Sequence, residues 1–199
     1  ASVERLAALS DGIFAVAMTL LVLELHAPVS EAIQTDADLW AALLKLAPTA
    51  ASCLMTFLTL GIFWNGQQTQ LARLARTDQH LTWIHIGFLL PASLLPFATA
   101  VLAEHITLKV ALFLYWFEIF LLGVFLYLGW SYAVRHKLLK HTVTEDEDRA
   151  IRLRITLAQV LYAVGALLSF WTPYASLTVW FALQLEFAIG PKKGLLSKL

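Results

Sequence analysis

The residues best able to do chemistry in this sequence are ionisable side chains that stand inside long apolar stretches. Asp11 follows Ser10 a turn or so inside the stretch 5–25, and His85 and Glu118 stand within later ones. An ionisable group inside a membrane-spanning helix is costly, and by default it marks either a functional site or a paired structural role. Asp11, His85 and Glu118 could therefore bind protons or cations in a coupled transporter, or they could be partners of other polar side chains.

Other constellations of catalytic or metal-binding residues do not occur in the sequence. The six histidines form no His-Glu-x-x-His or similar ligand set, and neither a Walker A nor a dinucleotide-binding glycine pattern is present. The chain also lacks a Thr-Val-Gly-Tyr-Gly segment, which excludes an ordinary carbonyl potassium filter. The single cysteine, Cys53, excludes an intramolecular disulfide. We therefore expect no enzyme, no bound metal and no cofactor.

The composition indicates that these residues are carried by membrane helices. Hydrophobic residues make up 59% of the chain and charged residues only 14%, whereas soluble domains carry about 25% charged residues. The formal net charge of zero argues against a nucleic-acid partner. No strand alternation competes, and helices are the only way besides a closed barrel to satisfy backbone groups in lipid. The sequence thus predicts an all-α integral membrane protein in a lipid bilayer.

Six apolar segments are near or above the roughly 17 residues that a helix needs to cross a bilayer, although the last is marginal. They predict a single domain over residues 1–199 with six transmembrane helices per subunit, at about 6–25, 39–64, 81–103, 108–134, 151–170 and 174–189.

Lysine and arginine are distributed unevenly between the connecting loops. The loop 26–38 contains neither, whereas the loop after the second segment carries Arg73 and Arg76, and the loop after the fourth segment is strongly basic. Because basic loops stay on the cytoplasmic side, both termini are predicted to be cytoplasmic, with Arg5 at the inner end of the first helix.

A helical wheel separates the first segment into faces at about 100° per residue. One narrow stripe carries Gly12, Val16, Thr19 and Leu23, with Leu20 at its edge. Ser10 lies on the opposite side and Asp11 on a third strip. The stripe is either a helix-packing face, where small residues permit close approach, or a face that meets symmetry mates around a pore.

The same segment carries a family resemblance. Arg5-x-x-x-Leu9-Ser10-Asp11 and the apolar run 14–25 resemble the opening of the first helix in the transmembrane protein 175 family of potassium channels. The resemblance extends over 78–97, which includes Leu81 and Trp83, while later helices match only in hydropathy. The chain departs from the family at Leu9, where a phenylalanine is expected, and at 67–68, where two glutamines replace a histidine pair found in many relatives.

The resemblance implies a function for the stripe. It implies a potassium channel in which symmetry-related first helices surround the pore, with Val16, Leu20 and Leu23 as an apolar constriction and Thr19 as a selectivity ring. An apolar neck of this kind resists wetting when closed, and the selectivity for potassium should be modest. The prokaryotic relatives further imply a homotetramer in the cell membrane of a prokaryote, with potassium as the permeant ion.

The polar residues beside the stripe are predicted to be structural. Ser10 and Asp11 turn toward the second and third segments, where donors are available, and removing a partner of a buried carboxylate costs several kcal/mol. We expect a supporting network made of Arg5, Ser10, Asp11, His80, Trp83 and His85.

Two other classes of function stay open from the residues alone. One is a proton- or cation-coupled secondary transporter that uses Asp11, His85 and Glu118. The other is a scaffold or membrane enzyme without transport activity, for which no residue cluster provides support.

Overall fold

The computed structural model of the chain describes residues 2–29 and 33–189. These residues form seven α-helices and no β-sheet. The helices are α1 (Val3–Leu20), α2 (Asp36–Lys45), α3 (Ala47–Arg73), α4 (Gln79–Glu104), α5 (Lys109–Arg135), α6 (Glu145–Leu168) and α7 (Pro173–Ile189).

The first helix begins at a capped N-terminus and tightens at its other end. Ser2 is the N-cap, and its hydroxyl accepts a hydrogen bond from the Arg5 backbone N–H at 3.3 Å. Such a cap satisfies one of the donors that a helix start leaves unpaired. After Leu20 the chain continues as a 3-10 turn over Leu21–Glu24, so the first apolar segment is not one uniform α-helix.

The predicted second segment, 39–64, is divided in the structure between two helices. A capping box between Thr35 and Asp38 starts α2 before the predicted boundary, and Leu46 separates α2 from α3. Pro48 stands in the first turn of α3, a position where its missing N–H costs nothing. Hydropathy runs through this break and therefore does not reveal it.

Within the described residues, five helices are long and apolar enough to cross a membrane. They are the first helix with its 3-10 turn, α3, α4, α5 and α6. The predicted last segment is present as α7, which has 17 residues. The structure thus bears out an all-helical protein with several apolar helices, and the sixth span stays a prediction.

The core lies where α4 packs against α1, α3 and α5. Leu60, Ala92, Leu112 and Leu122 are fully buried there. A second cluster lies at one end of the bundle and contains Leu6, Leu71, Leu74, Leu81, Ala133 and Leu138.

The two basic loops meet at that same end. The backbone N–H of Ala75 donates to the Leu138 carbonyl at 2.8 Å, and Lys140 Nζ donates to the Ala72 carbonyl at 2.7 Å. Arg73 forms a salt bridge to Glu147 at 2.5 Å. These contacts place the α3–α4 and α5–α6 loops on the same side as the start of α1. The distribution of lysine and arginine predicts the same relative placement.

Candidate functional site

The first helix has one packed face and one uncovered face. Its packed face consists of Leu6, Ser10, Phe14 and Ala17. On the other face the exposed fraction is 56% for Val16, 41% for Leu20 and 64% for Leu23. Gly12 and Thr19 are exposed as well. The wheel thus separated the two faces correctly within the subunit, although Leu23 lies in the 3-10 turn rather than in α1.

The Thr19 hydroxyl is oriented by its own helix. Its Oγ1 lies 3.0 Å from the Ala15 carbonyl oxygen and 2.9 Å from that of Val16, so the hydroxyl hydrogen is donated to the backbone. This is a common hydrogen bond for a threonine within a helix. Because the hydrogen is used, the oxygen keeps its lone pairs, and those are the groups that can coordinate a cation.

Ser10 is held by a buried chain of neutral polar groups. Its hydroxyl donates to Gln67 Oε1, and Gln67 Nε2 lies 3.4 Å from His85 Nδ1. Ser10 and Gln67 are fully buried, and His85 is 4% exposed. These contacts join α1 to α3 and α4, and the residue that links Ser10 to His85 is Gln67, which lies outside the predicted network.

Asp11 has a different environment. Its Oδ1 accepts hydrogen bonds from Trp64 Nε1 at 2.8 Å and from Gln68 Nε2 at 2.6 Å. The side chain is exposed in the subunit, which corrects the expectation of a buried carboxylate. The correction follows from the wheel itself: Asp11 lies about 100° from Ser10 and so reaches the outer edge of the α1–α3 contact.

The remaining predicted network residues lie elsewhere. Trp83 is 63% exposed, and Arg5 is exposed beside the capped start of α1. His80 stacks on Tyr132 of α5, with ring centroids 6.2 Å apart. The predicted single network is therefore wrong: Ser10 and His85 share one group, Asp11 belongs to another, and Arg5, His80 and Trp83 belong to neither within the described part of the chain.

His80 lies beside a carboxylate that caps α4. The Leu81 backbone N–H donates to Asp78 Oδ1 at 2.8 Å and holds the pKa of that carboxyl below its usual value. The Tyr132 hydroxyl, which donates to Oδ2 at 3.0 Å, and the charges of His80 and His136 lower the pKa further, while desolvation opposes them.

Sequence reasoning missed three residues that position α1, namely Trp64, Gln67 and Gln68. The available signal was the glutamine pair at 67–68, where the chain departs from the pattern that the family resemblance implies. Both glutamines lie on α3, where Gln67 contacts Ser10 and Gln68 contacts Asp11. The departure from the family pattern therefore occurs where α3 contacts the first helix.

A buried polar belt was also missed. Thr56 and Thr99 hydroxyls lie 2.6 Å apart, Tyr115 contacts Thr59 at 3.2 Å, and Gln184 Nε2 donates to Thr59 at 2.7 Å. The belt ties α3, α4, α5 and α7 together, and it contains no charged residue. We assign it to the support of the bundle.

The candidate proton-binding residues are dispersed. His85 approaches α5 near Gly129, whereas Glu118 lies 11 residues earlier on that helix, about 16 Å along its axis. Asp11 bonds to Trp64 and Gln68, whereas His85 lies beside Gln67, so the two ionisable groups share no hydrogen-bond partner. Among the described residues no group of three His, Cys, Asp or Glu side chains is placed to hold a metal ion.

Comparison with known proteins gives a consistent result. Residues 5–96 match the sequence model of the family described as endosomal/lysosomal potassium channel TMEM175. A potassium channel of Chamaesiphon minutus is 33% identical over an alignment of 198 residues, and the alignment covers 93% of each chain. A potassium channel of Streptomyces collinus is 30% identical over an alignment of 171 residues, which covers 83% of this chain and 82% of the relative.

The fold agrees with the sequence matches. The structure superimposes with a TM-score of 0.81 on the crystal structure of a lysosomal potassium-selective channel TMEM175 homologue from Chamaesiphon minutus, at 29% identity and with 94% and 96% of the two chains covered. These relatives are named as channels, not as enzymes. The chain described here belongs to the TMEM175 family of potassium channels.

Proposed function

We propose that this protein is a potassium channel whose pore is lined by the first helix. The observation that carries the proposal is the uncovered face of α1, which presents apolar side chains and one hydroxyl while the opposite face is packed. Family membership supports the choice of a pore over a simple packing face. The dispersal of Asp11, His85 and Glu118 gives no support to a coupled transporter.

In the proposed pore, copies of α1 surround a central axis. Rings of Val16, Leu20 and Leu23 form a narrow apolar neck, from which water withdraws when the channel is closed. Val16 has little rotamer freedom in a helix, so its ring is stiff. Opening then requires only enough dilation for a partly hydrated ion.

Thr19 supplies oxygen atoms within this neck. Its hydroxyl hydrogen is bound to the helix backbone, and its lone pairs can replace part of the water that an entering cation loses. Because a few hydroxyls replace hydration only in part, selectivity for potassium over sodium is modest.

The proposed assembly is a homotetramer in the cell membrane of a prokaryote. Each subunit contributes six transmembrane helices, with α7 as the sixth, and both termini face the cytoplasm. The start of α1 and the two basic loops lie at the same end of the bundle, which supports the proposed orientation.

The test is flux of potassium and sodium into liposomes containing the purified protein, normalised to intact oligomer measured by light scattering. Val16→Asn should raise the leak and weaken discrimination, since amides remove much of the barrier to wetting. Val16→Phe should reduce conductance by overfilling the neck. Thr19→Val should reduce selectivity more than it disturbs assembly.

The matched control is Val160→Asn on α6, because Val160 is 52% exposed and Val16 is 56% exposed. We expect parental flux from this control. Parental behaviour of both Val16 variants would show that α1 does not line the pore. Saturation of the parent at low turnover would indicate a transporter, and a mass other than four subunits would exclude the tetramer.

A further inference from the structure

A cleft on the flank of the bundle is unrelated to the uncovered face of α1. It has a volume of about 130 Å³ and lies between α3, α5, α6 and α7. Most of its wall is apolar, with Leu126, Ile155 and Phe187 as examples. All of these helices belong to one subunit, so the cleft does not depend on assembly.

The inner wall of the cleft carries a buried amide with an unused acceptor. Gln70 is only 4% exposed, and its Nε2 donates to the Leu126 carbonyl at 3.1 Å. Its Oε1 has no hydrogen-bond partner within the described part of the chain. Gln159 repeats this pattern: Nε2 lies 3.4 Å from the Ile119 carbonyl oxygen, and Oε1 is buried without a partner there.

The Gln70 amide oxygen is buried in the cleft wall without a donor among the described residues, so it can accept a hydrogen bond from a ligand. A buried acceptor left unsatisfied costs about 1–3 kcal/mol, and such groups in folded proteins almost always have a partner. A ligand that satisfies this oxygen therefore carries a hydroxyl or another N–H or O–H donor.

The mouth of the cleft carries a cation. Arg154 lines it from α6 and is exposed. Its neighbour Arg152 binds Asp148 and Ser131, whereas Arg154 has no hydrogen bond or ion pair with any other described residue. A free guanidinium is suited to bidentate recognition of a phosphate group.

Gln70 and Arg154 lie near the level of the lipid headgroups. Gln70 is three residues from the end of α3, and Arg154 is nine residues after the start of α6. At 1.5 Å per residue these positions are roughly 5 Å and 14 Å from the end of the bundle that carries the basic loops. This is where headgroups meet the hydrocarbon region, which begins several ångströms below the membrane surface.

We propose that this cleft binds one anionic phospholipid with a hydroxylated headgroup, of the phosphatidylglycerol type. Arg154 holds the phosphate, a glycerol hydroxyl donates to Gln70 Oε1, and an acyl chain follows the apolar wall. A choline headgroup has no N–H or O–H donor and leaves the Gln70 amide oxygen unpaired. The site therefore distinguishes the two lipid classes.

The test is native mass spectrometry of the intact oligomer in detergent, titrated with phosphatidylglycerol or with phosphatidylcholine of the same acyl chains. We expect phosphatidylglycerol to bind up to one copy per subunit and more tightly than phosphatidylcholine. Arg154→Gln should weaken phosphatidylglycerol binding about ten-fold, as expected for a lost charge-assisted contact. Gln70→Leu should reduce the preference for phosphatidylglycerol.

The matched control is Arg149→Gln, since Arg149 is an exposed arginine of α6 that does not line the cleft. Equal binding of both lipids, or equal loss in the Arg154 and Arg149 variants, would overturn the proposal. Full displacement of the lipid by glycerol 1-phosphate would show a site for a soluble phosphate instead. Arg154 is exposed, so Arg154→Gln should fold normally. This variant therefore tests the proposal even if Gln70→Leu fails to fold. The readout does not involve ion flux, so it is independent of the proposed channel function.

Discussion

The neighbouring polar residues Ser10 and Asp11 show how much a single step along a helix changes at the residue scale. Ser10 is buried and bonded to Gln67, whereas Asp11 is exposed and bonded to Trp64 and Gln68. The pair therefore attaches α1 to α3 at two depths. Within the subunit the carboxylate of Asp11 stays exposed, so it does not carry the desolvation cost of an interior carboxylate.

A double-mutant cycle tests the buried contact. Ser10→Ala or Gln67→Leu should each lower the free energy of unfolding by about 1–3 kcal/mol, because each leaves a buried polar partner unpaired. The double variant should cost less than the sum, by at least about 0.5 kcal/mol. Denaturant unfolding in micelles measures all four states, and strict additivity would contradict the contact.

The Asp78 cap predicts a dependence of stability on pH. Its pKa in the folded protein lies below the ordinary value of 3.8 because the ionised form accepts hydrogen bonds from Leu81 and Tyr132. The folded state therefore binds fewer protons than the unfolded state, and the contribution to stability is present above pH 3.8 and lost as pH falls through the folded pKa.

The measurement is the thermal unfolding midpoint in detergent between about pH 5 and pH 2, across the ordinary aspartate pKa. Asp78→Asn keeps a capping side chain but does not titrate, so its midpoint should fall less steeply with acid than that of the parent. The exposed Asp36→Asn serves as control. Parallel curves for parent and Asp78→Asn would contradict the assignment.

At the scale of elements, the helices meet through small residues as well as through apolar side chains. Gly165 of α6 faces the indole of Trp180 of α7, and a Cβ at Gly165 would overlap that ring. Trp180 is fully buried and donates from Nε1 to the Tyr162 carbonyl at 3.0 Å. The close approach of α6 and α7 thus requires a glycine at this position.

Gly165→Ala should destabilise the protein by about 1–3 kcal/mol, since the buried indole cannot move without breaking its hydrogen bond. Gly61→Ala on α3 is the matched control, because its nearest neighbour would be the flexible end of Met18 at 3.8 Å. The control should be neutral or stabilising by up to about 1 kcal/mol through helix propensity. Equal thermal midpoints for the two variants would show that α6 and α7 are not in close contact.

At the scale of the whole molecule, the chain alternates between two ends of one bundle. The hydrogen bonds between the α3–α4 and α5–α6 loops keep both basic loops at one end. The acidic or neutral connection after the first helix leaves from the other end. The orientation in the membrane can therefore be tested by cysteine labelling at one position at each end of the bundle.

We expect Val29→Cys to react with a membrane-impermeant maleimide added to intact cells, in a Cys53→Ala background. Val29 is 73% exposed in the connection after the first helix. Lys140→Cys, in the basic loop, should react only after permeabilisation. Labelling of Lys140→Cys in intact cells, with Val29→Cys protected, would invert the predicted topology.

The sequence by itself determined the class of the protein and the faces of its first helix. Hydropathy locates the apolar helices, although it missed the break at Leu46 and placed the end of the second segment at residue 64 instead of Arg73. The 3.6-residue period assigns Val16 and Thr19 to one face and Ser10 to the other. Both properties are local, so they can be computed without knowing what the helix contacts. The motif from Arg5 to Asp11, together with the runs 14–25 and 78–97, also indicated the family.

Only the tertiary structure decided which polar residues meet. His80, Trp83 and His85 all lie on α4, yet their different angles around that helix place only His85 within reach of the Ser10 group. The partners Trp64 and Gln68 lie more than 50 residues from Asp11 in sequence, and their contact depends on how α1 and α3 are rotated and shifted against each other. This rotation and shift are set by the packing of side chains from the whole bundle. The sequence pattern of one segment does not contain that information.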